Sequence, residues 1–144
     1  MISLLLIGCI LVAISVLLQA YCTLFWLKKV SKYLNERRLN THKVLKLLIL
    51  SFLVFSLLHF VQTAIWAMGY YYNPLTTSSF NDYFEALYFS MVTFTTLGYG
   101  DITLNSNWRL LSGFEAINGI MLIGWTTAMM YSLLQKFTKK YSER

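Results

Sequence analysis

Two glycines flank a tyrosine in Thr96-Leu97-Gly98-Tyr99-Gly100-Asp101. Glycine enters backbone conformations closed to other residues, so this segment can turn its own carbonyl oxygens toward a common point. Carbonyl oxygens are hard ligands, and a ring of such dipoles binds a hard cation without a carboxylate cage. The chemistry on offer is therefore cation coordination by the main chain. Side-chain chemistry is thin by contrast. His42 and His59 stand apart, and Cys9 and Cys22 sit 13 residues apart on one apolar stretch, too far to pair within a helix. Nothing resembles a catalytic triad, a phosphate loop or a metal-hydrolase motif, so neither enzyme function nor a cofactor has support.

Such a segment needs a helix to aim it. Asp82-x-x-Glu85 reads as a capping box, with acidic residues at a helix N-terminus. From Tyr83 to Thr95 the chain is apolar and aromatic. Thirteen helical residues reach about 20 Å, too short to cross a bilayer. A re-entrant half-helix is expected, its negative C-terminal end aimed at the cavity beneath Thr96–Asp101. Irregular backbone at membrane depth is tolerated only where it is buried in protein or lines a polar cavity. Pro74 and the Thr76-Thr77-Ser78-Ser79 run ahead of the helix read as an exposed connection.

The surrounding chain is membrane-like. Of 144 residues, 57% are hydrophobic, 17% aromatic and 12% charged, against about 25% charged in a soluble domain. This excludes an ordinary soluble globule, a disordered tail and a nucleic-acid binder. Uncharged runs cover 1–27 and Leu47–Tyr70, and a third covers Leu110–Gln135 with Glu115 near its start. Each is long enough to span. The first lacks a basic leading region and is too long for a signal-peptide core, so it reads as a retained helix. The fold class expected is an all-α membrane protein: three transmembrane helices, with the half-helix and its loop between the second and third.

Charge is partitioned along the chain. Lys28, Lys29, Lys32, Arg37, Arg38, Lys43 and Lys46 stand against Glu36, a net +6. Lys136, Lys139, Lys140 and Arg144 stand against Glu143, a net +3, and the remainder, Arg109 against Asp82, Glu85, Asp101 and Glu115, is net −3. Positive-inside bias places loop 28–43 and tail 137–144 in the cytoplasm, with the N-terminus and the Tyr71–Trp108 segment outside. The basic loop also suits anionic lipid headgroups. The expected location is the plasma membrane, or the inner membrane of a bacterial cell, as a multi-pass protein.

Thr96-Leu97-Gly98-Tyr99-Gly100-Asp101 resembles the selectivity filter of the potassium channel family. The resemblance extends from Asn81 to about Tyr131, and implies a pore domain over 44–136. Its parts would be an outer helix (44–70), a pore helix (82–96), the filter (96–101) and an inner helix (108–136). It implies potassium as the permeant ion, held by the carbonyls of Thr96, Leu97, Gly98 and Tyr99 with the Thr96 hydroxyl, while Gly100 completes the filter. Tyr88 and Phe89 match an aromatic cuff that packs around the filter with Tyr99. Asp101 follows the filter as a supporting residue. Gly119 and Gly124 match inner-helix glycines, the first a gating hinge, and Ile120, Ile123 and Thr127 match cavity-lining positions. One chain supplies one carbonyl per layer, so a homotetramer is implied.

There are departures. Leu97 replaces the commoner valine, Val92 stands where some members place a carboxylate, no proline follows the filter, and the first span is extra. No span carries arginine at every third position, so a voltage sensor is not expected. Two other readings stay open: a weakly selective cation channel, and a non-conducting pore-like subunit or scaffold. Glu115, with Asn118 one turn on, reads as support for the filter, as a hydrated interfacial group, or as a direct ion contact. His59 and Gln62, at i and i+3 midway along the second span, read chiefly as interhelical hydrogen-bonding groups.

Overall fold

A computed structural model describes residues 2–34, 41–104 and 106–142. It contains four α-helices: α1 (Ile2–Leu34), α2 (Thr41–Tyr71), α3 (Tyr83–Phe94) and α4 (Arg109–Ser142). Single 3-10 turns lie at Thr77–Ser79 and Ser106–Trp108. Three of the helices, over Ile2–Lys32, Thr41–Tyr71 and Arg109–Lys139, are long and apolar enough to cross a membrane.

The helices outrun the apolar stretches that announce them. α1 continues past Leu27 to Leu34, and α4 past Gln135 to Ser142. Lysine and leucine are good helix formers, so charge ends the hydropathy without ending the helix. The loop expected over 28–43 is correspondingly shorter: 28–34 belong to α1, and α2 begins at Thr41. Glu36, Arg37 and Arg38 of that loop, and Glu143 and Arg144 of the tail, lie outside the described residues.

Pairwise contacts fix the directions of the long helices. Gly8 lets α1 approach Leu111 and Phe114, where an added Cβ would stand 3.3 Å from each, and Gln19 bonds Thr126. α1 and α4 therefore run parallel. Leu11 packs on Gly69, Gln19 meets Gln62, and the Trp26 indole donates to Ser51 Oγ at 2.8 Å, so α2 runs antiparallel to both. One buried cluster gathers Leu4, Leu11, Trp66, Tyr70 and Leu111 at one end of the bundle. A second gathers Trp26, Val30, Phe55, Met129 and Leu133 at the other. Lys28, Lys29 and Lys32 share this second end with Lys43, Lys46 and Lys136, whereas Asp82, Glu85 and Asp101 lie at the first. The charge partition read from the sequence is thus also a partition in space.

α3 is built as its N-terminal residues dictate. Asp82, in extended backbone, accepts from the Glu85 amide at 2.8 Å, and Glu85 reaches back to the Asn81 amide at 2.5 Å. The first bond satisfies a donor that the first helical turn leaves unpaired, and the second ties the residue ahead of the cap to the helix. Ahead of it, Thr76 Oγ1 donates to the Tyr70 carbonyl at 2.5 Å and closes the end of α2. α3 starts beside Tyr71, whose ring lies 6.0 Å from that of Tyr83. It ends beside His59, midway along α2, where the Phe94 ring is 5.8 Å away.

Gly119 carries α4 past the end of α3. An added Cβ would stand 2.8 Å from the Phe94 carbonyl carbon and overlap its oxygen, both backbone atoms with no freedom to yield. Overpacking of this kind costs about 1–3 kcal/mol. Gly119→Ala is expected to lower the thermal unfolding midpoint of detergent-solubilised protein by several degrees. Gly124→Ala, where the same atom meets nothing within 4 Å in the chain, is expected to lower it less. Equal midpoints would contradict the close approach.

Candidate ion-coordinating segment

α3 ends in two turns that tie the following segment to it. The Thr96 amide donates to the Thr93 carbonyl at 2.9 Å, and the Leu97 and Gly98 amides donate to the Val92 carbonyl at 2.9 and 3.3 Å. Beyond this anchor the backbone alternates in hand. Thr96, Gly98 and Gly100 have φ of 60°, 54° and 78°, and Thr96 is the single non-glycine residue with positive φ among those described. A left-handed conformation costs a side-chain-bearing residue about 1–2 kcal/mol, and such strain collects at functional sites. Residues 95–100 are all exposed, and among the described residues no hydrogen bond is accepted by the carbonyls of Thr96, Leu97, Gly98 and Tyr99. The sequence therefore yields a short run of unpartnered oxygen dipoles at the negative end of a helix.

The side chains singled out by sequence separate into groups. The Tyr88 hydroxyl donates to Asp101 Oδ2 at 2.8 Å, bracing the far end of the segment against α3. That bond holds the Tyr88 phenol above its usual pKa. Phe89 is buried in the core instead, edge-on to Tyr70 with centroids 5.2 Å apart and 5.5 Å from Phe80. The expected packing of both aromatics around Tyr99 is thus not formed within one chain, because α3 turns Phe89 toward α2. A cavity of about 460 Å³ lies between the segment and α4, lined by Val92, Gly98, Asp101, Arg109, Ser112 and Ala116 among others.

Glu115 is fully buried, which removes the reading of a hydrated interfacial group. Its Oε2 accepts from the Tyr70 hydroxyl at 2.6 Å and its Oε1 from the Ser90 hydroxyl at 2.5 Å. Ser90 Oγ also lies 2.8 Å from the Thr63 carbonyl. One carboxyl group therefore joins α2, α3 and α4 behind the segment, its two oxygens occupied by protein rather than turned outward. Tyr70 and Ser90, its partners, carry no signal in the sequence beyond being polar groups on apolar helices.

On α4, Ile120, Ile123, Gly124 and Thr127 share an exposed face, while Gly119 is buried against Phe94. The face continues one turn further to Tyr131, whose hydroxyl accepts from Gln135 Nε2 at 3.0 Å. The i, i+4 relation of Tyr131 to Thr127 is the signal in the sequence that places it on this face.

A profile of the family described as Ion channel matches residues 44–136. The chain belongs to this ion channel family. With three helices long and apolar enough to cross a membrane, it is a multi-pass membrane protein of an ion channel family. Over 58 residues it is 40% identical to the calcium-gated potassium channel TvoK of Thermoplasma volcanium. That match takes in 40% of this chain and 17% of the relative, so the chain spans about a sixth of its length. No solved structure matches the chain.

Proposed function

We propose that the chain is one subunit of a potassium-selective channel. The observation that carries this reading is the Thr96–Gly100 backbone. Left-handed residues at every second position break the alternation by which an extended chain points successive carbonyls to opposite sides. The oxygens of Thr96, Leu97, Gly98 and Tyr99 then line one side, where they replace the hydration shell of a permeant potassium ion. α3 is the re-entrant pore helix, 44–136 is the pore domain, and α2 and α4 are its outer and inner helices. The potassium channel among its relatives supports the choice of ion.

One chain supplies one oxygen per layer, and encircling an ion takes several. Four copies about a common axis complete the filter, with the exposed face of Ile120, Ile123, Gly124 and Thr127 lining the cavity below it. The exposure of Tyr99 and of this α4 face in the single chain supports a neighbour beside them. The basic end of the bundle is cytoplasmic and the acidic end external, so Asp82, Glu85 and Asp101 surround the cation entrance.

Native mass spectrometry in detergent tests the assembly. Each chain weighs 16.7 kDa, and a species of four times that mass is expected to persist after detergent is stripped. A stable monomer would leave the carbonyl segment without a ring and overturn the reading.

A further inference from the structure

Gln19, His59, Gln62 and Thr126 close a ring of hydrogen bonds midway along α1, α2 and α4. Gln19 Nε2 donates to Thr126 Oγ1 at 2.9 Å, and His59 Nε2 lies 3.0 Å from the same oxygen. His59 Nδ1 lies 2.9 Å from Gln62 Oε1, and Gln62 Nε2 donates to Gln19 Oε1 at 3.1 Å. One placement of hydrogens makes every member donor and acceptor at once: His59 protonated on Nδ1, with Nε2 accepting from Thr126. The second amide hydrogen of Gln62 goes to the Ser15 carbonyl at 3.2 Å. Gln19 and Gln62 are fully buried.

This ring is more than packing. Lipid tails are as apolar as leucine, so apolar contact alone gives a helix little reason to prefer one rotation about its axis over another. A closed polar ring supplies that preference, because any rotation leaves a buried donor unpaired. Thr126 lies on the side of α4 that also buries Leu122, Met129 and Leu133. Adjacent residues project about 100° apart on a helix, so fixing Thr126 fixes the direction of Thr127 and Ile123.

We propose that α1 is a positioning helix of the pore: through this ring Gln19, together with His59 and Gln62, holds Thr126 and so keeps Ile123, Gly124 and Thr127 turned toward the cavity. The inference rests on the reading of α4 as the cavity-lining helix. It gives the extra first span a task, and it makes Gln19, His59, Gln62 and Thr126 positioning residues rather than ion ligands. The His59 ring also lies tilted against Phe94, with centroids 5.8 Å apart, so the same ring of bonds reaches the end of α3 just before the carbonyl segment.

Cysteine labelling of the full chain tests this without requiring flux. In a Cys9→Ala, Cys22→Ala background, Thr127→Cys and Met129→Cys serve as separate reporters for a water-soluble thiol reagent. The first lies on the exposed face of α4 and the second on its buried face. The ratio of their labelling rates is expected to fall about threefold or more in Thr126→Val, the size of one interhelical hydrogen bond in a membrane. Gln19→Leu, which perturbs the ring from α1, is expected to do the same. Thr126→Ser, which keeps the hydroxyl, is expected to preserve the ratio. An unchanged ratio in both Thr126→Val and Gln19→Leu would overturn the proposal, as would an equal fall in Thr126→Ser. Absence of ion flux in the unsubstituted chain, with the ratio shifting as expected, would count against the channel reading and leave the positioning role of α1 standing.

Discussion

Gly98→Ala is expected to reduce cation flux to background while leaving the chain folded and assembled. Its φ of 54° lies in the left-handed region, where a Cβ costs about 1–2 kcal/mol. That is roughly a tenfold bias against the required backbone, incurred in every copy of the proposed four-chain assembly. An added Cβ at this position meets nothing within 4 Å, so the penalty is conformational and not one of packing within the chain. The effect therefore falls on where the carbonyls point, not on whether the helices pack. The check is paired: rubidium uptake by vesicles, and the thermal midpoint of the same preparation. Wild-type uptake from Gly98→Ala would show that the left-handed backbone has no part in coordination. A collapsed midpoint would show instead that the glycine is needed for folding.

The second large effect is expected at Glu115. Glu115→Ala removes the acceptor shared by the Tyr70 and Ser90 hydroxyls; Ser90 turns to the Thr63 carbonyl, while the buried Tyr70 hydroxyl is left unpaired. An unpaired buried hydroxyl costs about 1–3 kcal/mol, so a loss of that order is expected, read as a fall in midpoint together with loss of flux. Glu115→Gln is the informative control. Its carbonyl accepts from Tyr70 and its amide donates to Ser90 Oγ, which leaves the Ser90 hydrogen for the Thr63 carbonyl. Stability and flux are expected to survive in Glu115→Gln. If Glu115→Gln behaves like Glu115→Ala, a carboxyl group itself is required, and the bracing role drawn from the three-helix contact fails.

Much of this architecture is legible in the residues. The three apolar runs identify α1, α2 and α4, and Asp82 with Glu85 marks the start of α3, which runs from Tyr83 to Phe94 rather than over 82–96. Composition fails at the opposite ends, because the lysines that close an apolar run are themselves compatible with helix. The spacing of Thr96, Gly98 and Gly100 announces an irregular backbone, but the positive φ of Thr96 has no signature in its side chain. Contacts between helices are less legible still. His59 and Gln62 advertise a hydrogen-bonding pair by their i, i+3 spacing, yet Gln19 and Thr126 lie far away in sequence and meet them only once three helices have packed. The family resemblance pairs Phe89 with Tyr88 in an aromatic cuff, yet neighbouring residues on a helix point about 100° apart. That angle sends Tyr88 to Asp101 and Phe89 to Tyr70.

Selective rubidium uptake into vesicles holding the purified chain tests the carbonyl-filter reading most directly. An outward potassium gradient is expected to drive uptake, barium to block it, and sodium to fail as a substitute. Equal sodium uptake would make the pore a weakly selective one, and no uptake from verified four-chain assemblies would contradict conduction through Thr96–Gly100 altogether.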